Sequence, residues 1–450
     1  MYGQIRFKQT EIGKIPEDWE VEELKNVLEE KGYVRGPFGS ALRRNELKTE
    51  GIPVYEQEHA IYNSRKFRYH IDENKFRELS RFLVKEDDLI ISCSGTLGKV
   101  SMISKTDPKG IISQALLLLR PNINKILPRY LKYFFYSPKG FDALVSRSSG
   151  SVQVNLAKRE VIETIKLALP AITEQSHIVK ILSDLDSKIA LNHQTNRTLE
   201  AIGQALFKRW FIDFEFPNEE GKPYKSSGGE MVYSQELEKE IPKGWSVKPV
   251  NGLASINGSV LSNNDPLEYI DYIEISQVSK GSVNGISRYA RGHEPSRAKR
   301  KLRHGDSVLS TVRPDRGSYF LCLEPGPNLI ASTGFAVVTP KIVPWSFLYL
   351  ALTQKDIGEY LGRMADGGAY PSIRPDVIGN LDVIISTEEI LIRFDSIVSR
   401  LLMQCHNLQQ QNMVLENIRD TLLPLLISGD IQVDPSRFGL GPEGEKVGEV

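Results

Sequence analysis

The chain has little cysteine. Only Cys93, Cys322 and Cys405 occur in 450 residues, far apart and without a Cys-x-x-Cys pair. That excludes a disulfide framework and a thiolate zinc site. Net charge is absent, since 57 basic side chains balance 57 acidic ones. A uniformly basic binder and a polyanionic solvating protein are therefore excluded, but a local basic surface is not. Long apolar runs are also missing. Stretches such as Ala115 to Leu119 fall far short of the ~20 residues that span a bilayer. The opening MYGQIRFKQTEIGKIPEDWE is polar, which speaks against a secretory signal. We expect a cytoplasmic chain with no membrane partner. Hydrophobic content of 40% and charged content of 25% fit folded domains rather than disorder.

Enzyme motifs are scarce in the same way. Gly95-Thr-Leu-Gly-Lys99 resembles part of a phosphate loop, but that loop needs glycine at 93 and a hydroxyl at 100, where Cys93 and Val100 stand. Asn264-Asp265-Pro266-Leu267 lacks the second proline and the aromatic of an amino-methyltransferase site. Neither H-E-x-x-H nor G-x-S-x-G occurs. The expectation is a non-catalytic chain with no catalytic residues, no metal site and no cofactor of its own.

Repetition is what the sequence has. Ile15-Pro-Glu-Asp-Trp19 recurs as Ile241-Pro-Lys-Gly-Trp245, offset by 226; later the offset settles at 216, pairing Pro128 with Pro344 and Leu199-Glu200 with Leu415-Glu416. A period this long is a duplicated domain rather than a solenoid. In each half, short apolar runs flank a turn: Asp88–Ser92 with Val100–Ile103, and Asp306–Ser310 with Ser318–Leu323. Each reads as a hairpin-like strand pair, followed by a short helix opened by Pro128 or Pro344.

Each half then changes character. Ile178, Leu185, Asn192, Leu199 and Leu206 are spaced by seven, as are Phe394, Leu401, Leu408, Leu415 and Leu422. With Ile181, Ile202, Ile397 and Ile418 taken as the second seam, two helices of ~52 Å are expected to pair. Ser386-Thr-Glu-Glu389 reads as a capping box and Pro424 as a stop. The expected organisation is a mixed α+β domain over 1–170, a helix over 171–212, a flexible acidic linker over 213–240, a second α+β domain over 241–386, a helix over 387–427 and an acidic tail over 428–450. The fold class is α+β, with two duplicated domains separated by two long antiparallel coiled-coil helices in pseudo-twofold arrangement.

Charge is placed unevenly. Residues 101–150 hold eight basic against two acidic side chains, and 288–303 hold seven against one. Such clusters suit phosphates, although each alone also fits a solvated loop; one in each copy favours DNA. Candidate DNA-binding residues in the first half are Arg43, Arg44, Ser94, Thr96, Lys99, Arg147 and Gln153. In the second they are Arg297, Lys299, Arg300, Lys301, Arg303, Arg313, Arg316, Tyr370 and Arg374. Arginine is suited to guanine edges and glutamine to adenine.

Leu169-Pro-Ala-Ile-Thr-Glu-Gln-Ser-His-Ile-Val179 and Asn196-Arg-Thr-Leu-Glu-Ala-Ile-Gly-Gln-Ala-Leu-Phe-Lys208, running into Trp210-Phe-Ile-Asp-Phe214, resemble the conserved regions of type I restriction–modification specificity subunits. The two Ile-Pro-x-x-Trp openings resemble the starts of that family's target recognition domains. Gly36-Pro-Phe-Gly-Ser-Ala-Leu42 and Ser310-Thr-Val-Arg-Pro314 resemble strings inside them. The second helix departs from the pattern, with Ser386-Thr-Glu-Glu389 replacing the Pro-x-x-x-Glu-Gln start. The resemblance implies a non-catalytic subunit whose two domains each read half of a split double-stranded DNA target. Its helices would set the spacer and dock two modification subunits. Restriction subunits would join these, with S-adenosylmethionine and ATP/Mg used by the partners. A coiled-coil scaffold without DNA readout, and a remnant of a fused restriction–modification enzyme, are the other readings.

Overall fold

A computed structural model describes residues 6–146, 155–156, 158–368 and 370–433. They form two compact units: Met1–Ile189 with Met413–Val450, and Ala190–Asn412.

In the first unit, a four-stranded antiparallel sheet has the order Leu28–Arg35, Leu116–Pro121, Leu89–Ser92, Val100–Met102. Leu116–Leu119 is apolar without alternation because it is covered on both faces. Leu117 and Leu119 enter one core cluster, and Leu116 and Leu118 another. A second sheet orders His70–Ile71, Ile52–Tyr55 and Ile111–Ile112, the last pair parallel. The helix Pro128–Tyr136 follows, with proline in its first turn, where a missing N–H costs nothing.

The second unit repeats this plan. Its first sheet orders Ala254–Ile256, Phe335–Pro340, Asp306–Ser310, Tyr319–Cys322. The other orders Ser287–Ala290, Tyr269–Ile273, Leu329–Ser332, Ala298–Lys301, with the middle pair parallel. Both expected strand pairs form with antiparallel register, Leu89↔Met102 and Asp306↔Cys322. Helix Trp345–Leu352 has Pro344 at its N-cap. The fold is mixed helix and sheet in both units.

The first long helix, Ile172–Phe207, ends in a π-turn, Lys208–Ile212; the second runs over Glu388–Ser428. In the first unit, Ile178 and Leu182 share a core with Leu423, Leu426 and Ile427. In the second unit, the Phe207 ring lies 6.2 Å from Phe394, and Asn192 Nδ2 donates to Asn412 Oδ1 at 2.8 Å. Rising numbers on one helix meet falling numbers on the other, so the pairing is antiparallel within each unit.

The seam differs from its sequence-based expectation in one of its two rows. Ile178, Asn192, Phe394 and Leu408 are buried, and Leu185, Leu199, Leu206, Leu401, Leu415 and Leu422 half-buried, as the heptad row requires. Ile202, Ile397 and Ile418 are instead 42%, 44% and 42% exposed, and Ile181 is only half-buried. The second row lies one residue later, at Leu182, Ile189, Asn196 and Gly203, and at Val398, Cys405, Asn412 and Arg419. Steps of four and three alternate along a seam. A step of three from Ile178 therefore points away from the partner, and the step of four reaches it.

Three further expectations change. The helix continues through Pro424, because Leu423, Leu426 and Ile427 are anchored in the core while the proline forfeits one backbone bond. Ser386 does not close a capping box; its hydroxyl donates to the Thr387 carbonyl. Nor is 213–240 a free linker. Phe214 and Phe216 are buried, with Phe216 stacked between Tyr224 and Trp245 at 4.5 and 5.1 Å. Met231–Ser234 then pairs with Lys239–Pro242. Burial of these rings outweighs the solvation of the surrounding acidic residues.

Candidate nucleic-acid interface

Strand ends and their turns position the exposed polar side chains in both units. In the first, Ser92 organises the turn after Leu89–Ser92. Its hydroxyl donates to the Thr96 carbonyl at 2.6 Å and accepts the Lys99 N–H at 3.0 Å. Gly95 and Gly98 supply φ of +60° and +68°. Ser94, Thr96 and Lys99 are left exposed on the rim, with the Ser94 N–H tied to Gln57 Oε1. Arg43 and Arg44 are exposed on a separate 3-10 turn, Arg44–Glu46. Arg147 and Gln153 lie outside the described residues.

In the second unit, backbone bonds join three of the predicted segments. Thr333 N–H donates to the Arg297 carbonyl, and Thr311 N–H to that of Gly334. Ile373 N–H reaches Thr311, and Arg313 N–H the Pro371 carbonyl. Arg297, the Thr311–Arg316 turn and Tyr370–Arg374 thus form one continuous polar rim. Arg313 sits at φ +46°, a left-handed conformation that costs a non-glycine residue ~1–2 kcal/mol. Its guanidinium lies 4.7 Å over the ring of Tyr370, which is 73% exposed. A strained arginine stacked on an exposed aromatic suits contact with nucleotides. Arg316 and Arg374 are exposed beside it.

The basic run 297–303 is less available than its composition suggests. Part of it forms the edge strand Ala298–Lys301, whose register shifts between Ala298 and Arg300 and whose three basic side chains are all half-buried. Lys301 Nζ is paired with Asp265 at 2.7 Å. Arg300 is half-buried with no partner for its Nε, and burial lowers its guanidinium pKa. Lys299 is half-buried; Arg297 and Arg303 are exposed.

One basic feature escapes sequence reasoning. Tyr33, Arg35, Gly36, Phe38, Arg81, Phe82, Leu156, Lys158 and Arg159 line a cleft of about 450 Å³ in the first unit. The basic residues come from distant segments, so no local cluster marks them. The duplication offered one signal, since Lys158 stands 216 positions before Arg374. Among the described residues, no helix is long and apolar enough to cross a membrane.

The fold defines a duplicated protein built of two like α+β units, each carrying a polar rim and half of a two-helix seam. Residues 16–201 match the family described as Type I restriction modification DNA specificity domain. The type I restriction enzyme MjaIX specificity subunit of Methanocaldococcus jannaschii is 27% identical over 449 residues, covering 96% of this chain and 98% of that protein. The HindI specificity subunit of Haemophilus influenzae is 25% identical, covering 71% and 81%. In fold, the chain is similar to the crystal structure of a type I restriction–modification S subunit from M. genitalium. The TM-score is 0.55 at 16% identity, over 91% of this chain and 96% of that one. Residues 16–201 thus carry the type I restriction–modification DNA specificity domain, and the chain is similar to type I specificity subunits over nearly its whole length.

Proposed function

We propose that this chain is the DNA-reading subunit of a type I restriction–modification complex, with each unit reading one half of a bipartite double-stranded target. The observation that carries the reading is the duplicated strand order. It presents turns after equivalent strands, Leu89–Ser92 and Asp306–Ser310, as polar rims in both copies. Two similar readers in one chain suit two half-sites, and a repeated helix seam suits two copies of one partner. The partners are two modification subunits and, with them, restriction subunits. Adenine methylation from S-adenosylmethionine and ATP/Mg-driven cleavage belong to those partners; this chain supplies position and sequence choice. Phosphate contacts set its register and base-edge contacts its specificity.

Methylome sequencing of cells expressing the chain with its modification partner tests this. A bipartite adenine-methylated motif is expected; a continuous motif, or none, overturns it. Adding one heptad to each long helix lengthens the pair by ~10.5 Å, about three base pairs at ~3.4 Å each. The half-sites should be unchanged and the spacer longer by about three base pairs. An unchanged spacer would remove the helices' role as a ruler.

A further inference from the structure

The first unit's cleft gathers four cationic side chains, and among the described residues none that lines it is acidic. Arg35 ends the strand Leu28–Arg35, and its direction is fixed by the next residue. Gly36 N–H donates to the Leu116 carbonyl, and a Cβ on Gly36 would fall 1.9 Å from the Ser113 carbonyl oxygen. Only glycine permits that approach, so the chain is held tight at this point. Arg35 lies 5.9 Å over the ring of Phe38, which is 64% exposed on the cleft's lip. From the other side, Arg159 sits 5.0 Å over Tyr33 and is held by Glu163 at 2.8 Å. Lys158 and Arg81 are exposed at the mouth.

Glu163 compensates Arg159, but Arg35, Arg81 and Lys158 share one concave wall with no acidic residue among its described lining residues, and like charges so placed repel. An anion relieves it. Basic side chains beside an exposed aromatic fit a phosphodiester with its sugar or base lying against the ring. The cleft's volume suits a nucleotide-sized group.

We propose that this cleft is a backbone-phosphate clamp for duplex DNA, with Arg35, Arg81 and Lys158 as its phosphate ligands and Phe38 as its stacking edge. It rests on the reading of this unit as a DNA reader and extends it to a surface outside the predicted rim. Phosphate contacts carry no sequence information. The clamp therefore fixes how the first unit sits on its half-site without choosing the bases.

The test is DNA binding by the full chain assembled with its modification subunits, titrated with salt, using duplex that carries the methylome-defined target. Arg81→Glu/Lys158→Glu is compared with Lys222→Glu/Lys225→Glu, an equal charge change on exposed residues of the other unit. Each phosphate contact contributes about 0.9 to the slope of log affinity against log salt. The cleft double should lose affinity at least tenfold and flatten the slope by about two, with the methylated motif unchanged. Phe38→Ala should weaken binding several-fold and leave the slope alone. Equal losses in both doubles, or a changed motif, would overturn the clamp. Competition by millimolar inorganic phosphate as effective as that by DNA would make it a free-anion site instead and also overturn it. A wild-type complex without salt-dependent binding would sink the DNA-reading function itself.

Discussion

The two units share a strand order but stabilise equivalent places with different chemistry. Under the sheet of the first unit, buried Asp88 takes a bidentate bond from Arg120, Nε and Nη2 both at 2.7 Å. In the second, the matching Asp306 accepts from the Thr339 hydroxyl at 2.6 Å. Where domain meets helix, the first unit sets Asp186 between the Tyr133 hydroxyl at 2.8 Å and Arg419 at 3.0 Å. Lys132 lies nearby, its pKa lowered by burial despite the Asp186 charge. The equivalents 216 positions away are Leu402, Tyr349, Gly203 and Leu348. The second unit packs Phe207, Phe211, Phe347 and Phe394 together; the first has Leu423, Ile427, Leu131 and Ile178 at those positions. The two copies share the path of the backbone, while the first is held by ions and the second by rings. The first unit should therefore be brittle to loss of a single charge, and the second to loss of volume.

The largest expected effect follows from the buried carboxylate. Arg120→Met leaves Asp88, at 0% exposure, without its ionic partner and with only the Lys85 N–H bond, which should cost ~3–5 kcal/mol. Thr339→Val removes one neutral donor from Asp306 and should cost ~1–3 kcal/mol. Denaturant titration with hydrogen exchange resolved to each unit checks both. Equal costs would erase the proposed contrast between the copies.

The junction comes next. Arg419 and Asp186 are about 30% exposed at the side chain, so solvent screens what their contact contributes. Arg419→Met should cost ~1–2 kcal/mol, below the Arg120 figure because water reaches the stranded carboxylate. Asp186→Leu on top of it imports the second unit's leucine and should recover part of that loss, since an apolar replacement of an ion pair is often neutral. A double variant less stable than Arg419→Met alone would show that the bond Asp186 accepts from the Tyr133 hydroxyl outweighs the relief of removing a stranded carboxylate. Gln175 makes the same point. Its amide accepts from Leu127 N–H and donates to the Lys125 and Pro170 carbonyls, while Trp19 Nε1 donates to Glu174. The Glu-Gln signature is thus a structural tie at the start of the helix. Ile390 and Leu391 take its place in the second copy.

How much could be read from the sequence depended on which residues carried an apolar signal. The strand pairs, the duplication and one heptad row were visible because leucine and isoleucine repeat in them. The second row was hidden because it contains Asn196, Gly203, Asn412 and Arg419, none of which looks like a seam residue, while outward isoleucines mimicked it. Asn192 and Asn412 bury their amides against each other in the second unit, where they cost stability and favour one register. The packed 213–240 segment was hidden for the reverse reason, since two phenylalanines outweigh many surface charges. The polar rim of the second unit was partly legible from Arg313 and Tyr370. The cleft of the first unit was not, because Arg35, Arg81 and Lys158 meet only after folding.

The smallest effect sharpens the comparison through pH. His406 of the second unit faces Glu324, Nε2 to Oε2 3.9 Å, and its pKa is lowered by burial against the pull of Glu324, with His304 adding repulsion. The residue 216 positions earlier, on the first long helix, is Ala190, which cannot titrate. A histidine depressed in the folded state prefers to be neutral there, so the unfolded chain binds its proton first as pH falls. The stability tied to this site should be complete above the unfolded pKa of about 6.5. It should decline as pH drops toward the lowered folded value and level off below it. His406→Gln should flatten that decline in hydrogen exchange of the second unit and leave the first unit's profile unchanged. A decline that persists in the variant would assign the pH sensitivity to the buried carboxylates instead, and the two copies would then differ in charge placement but not in their response to acid.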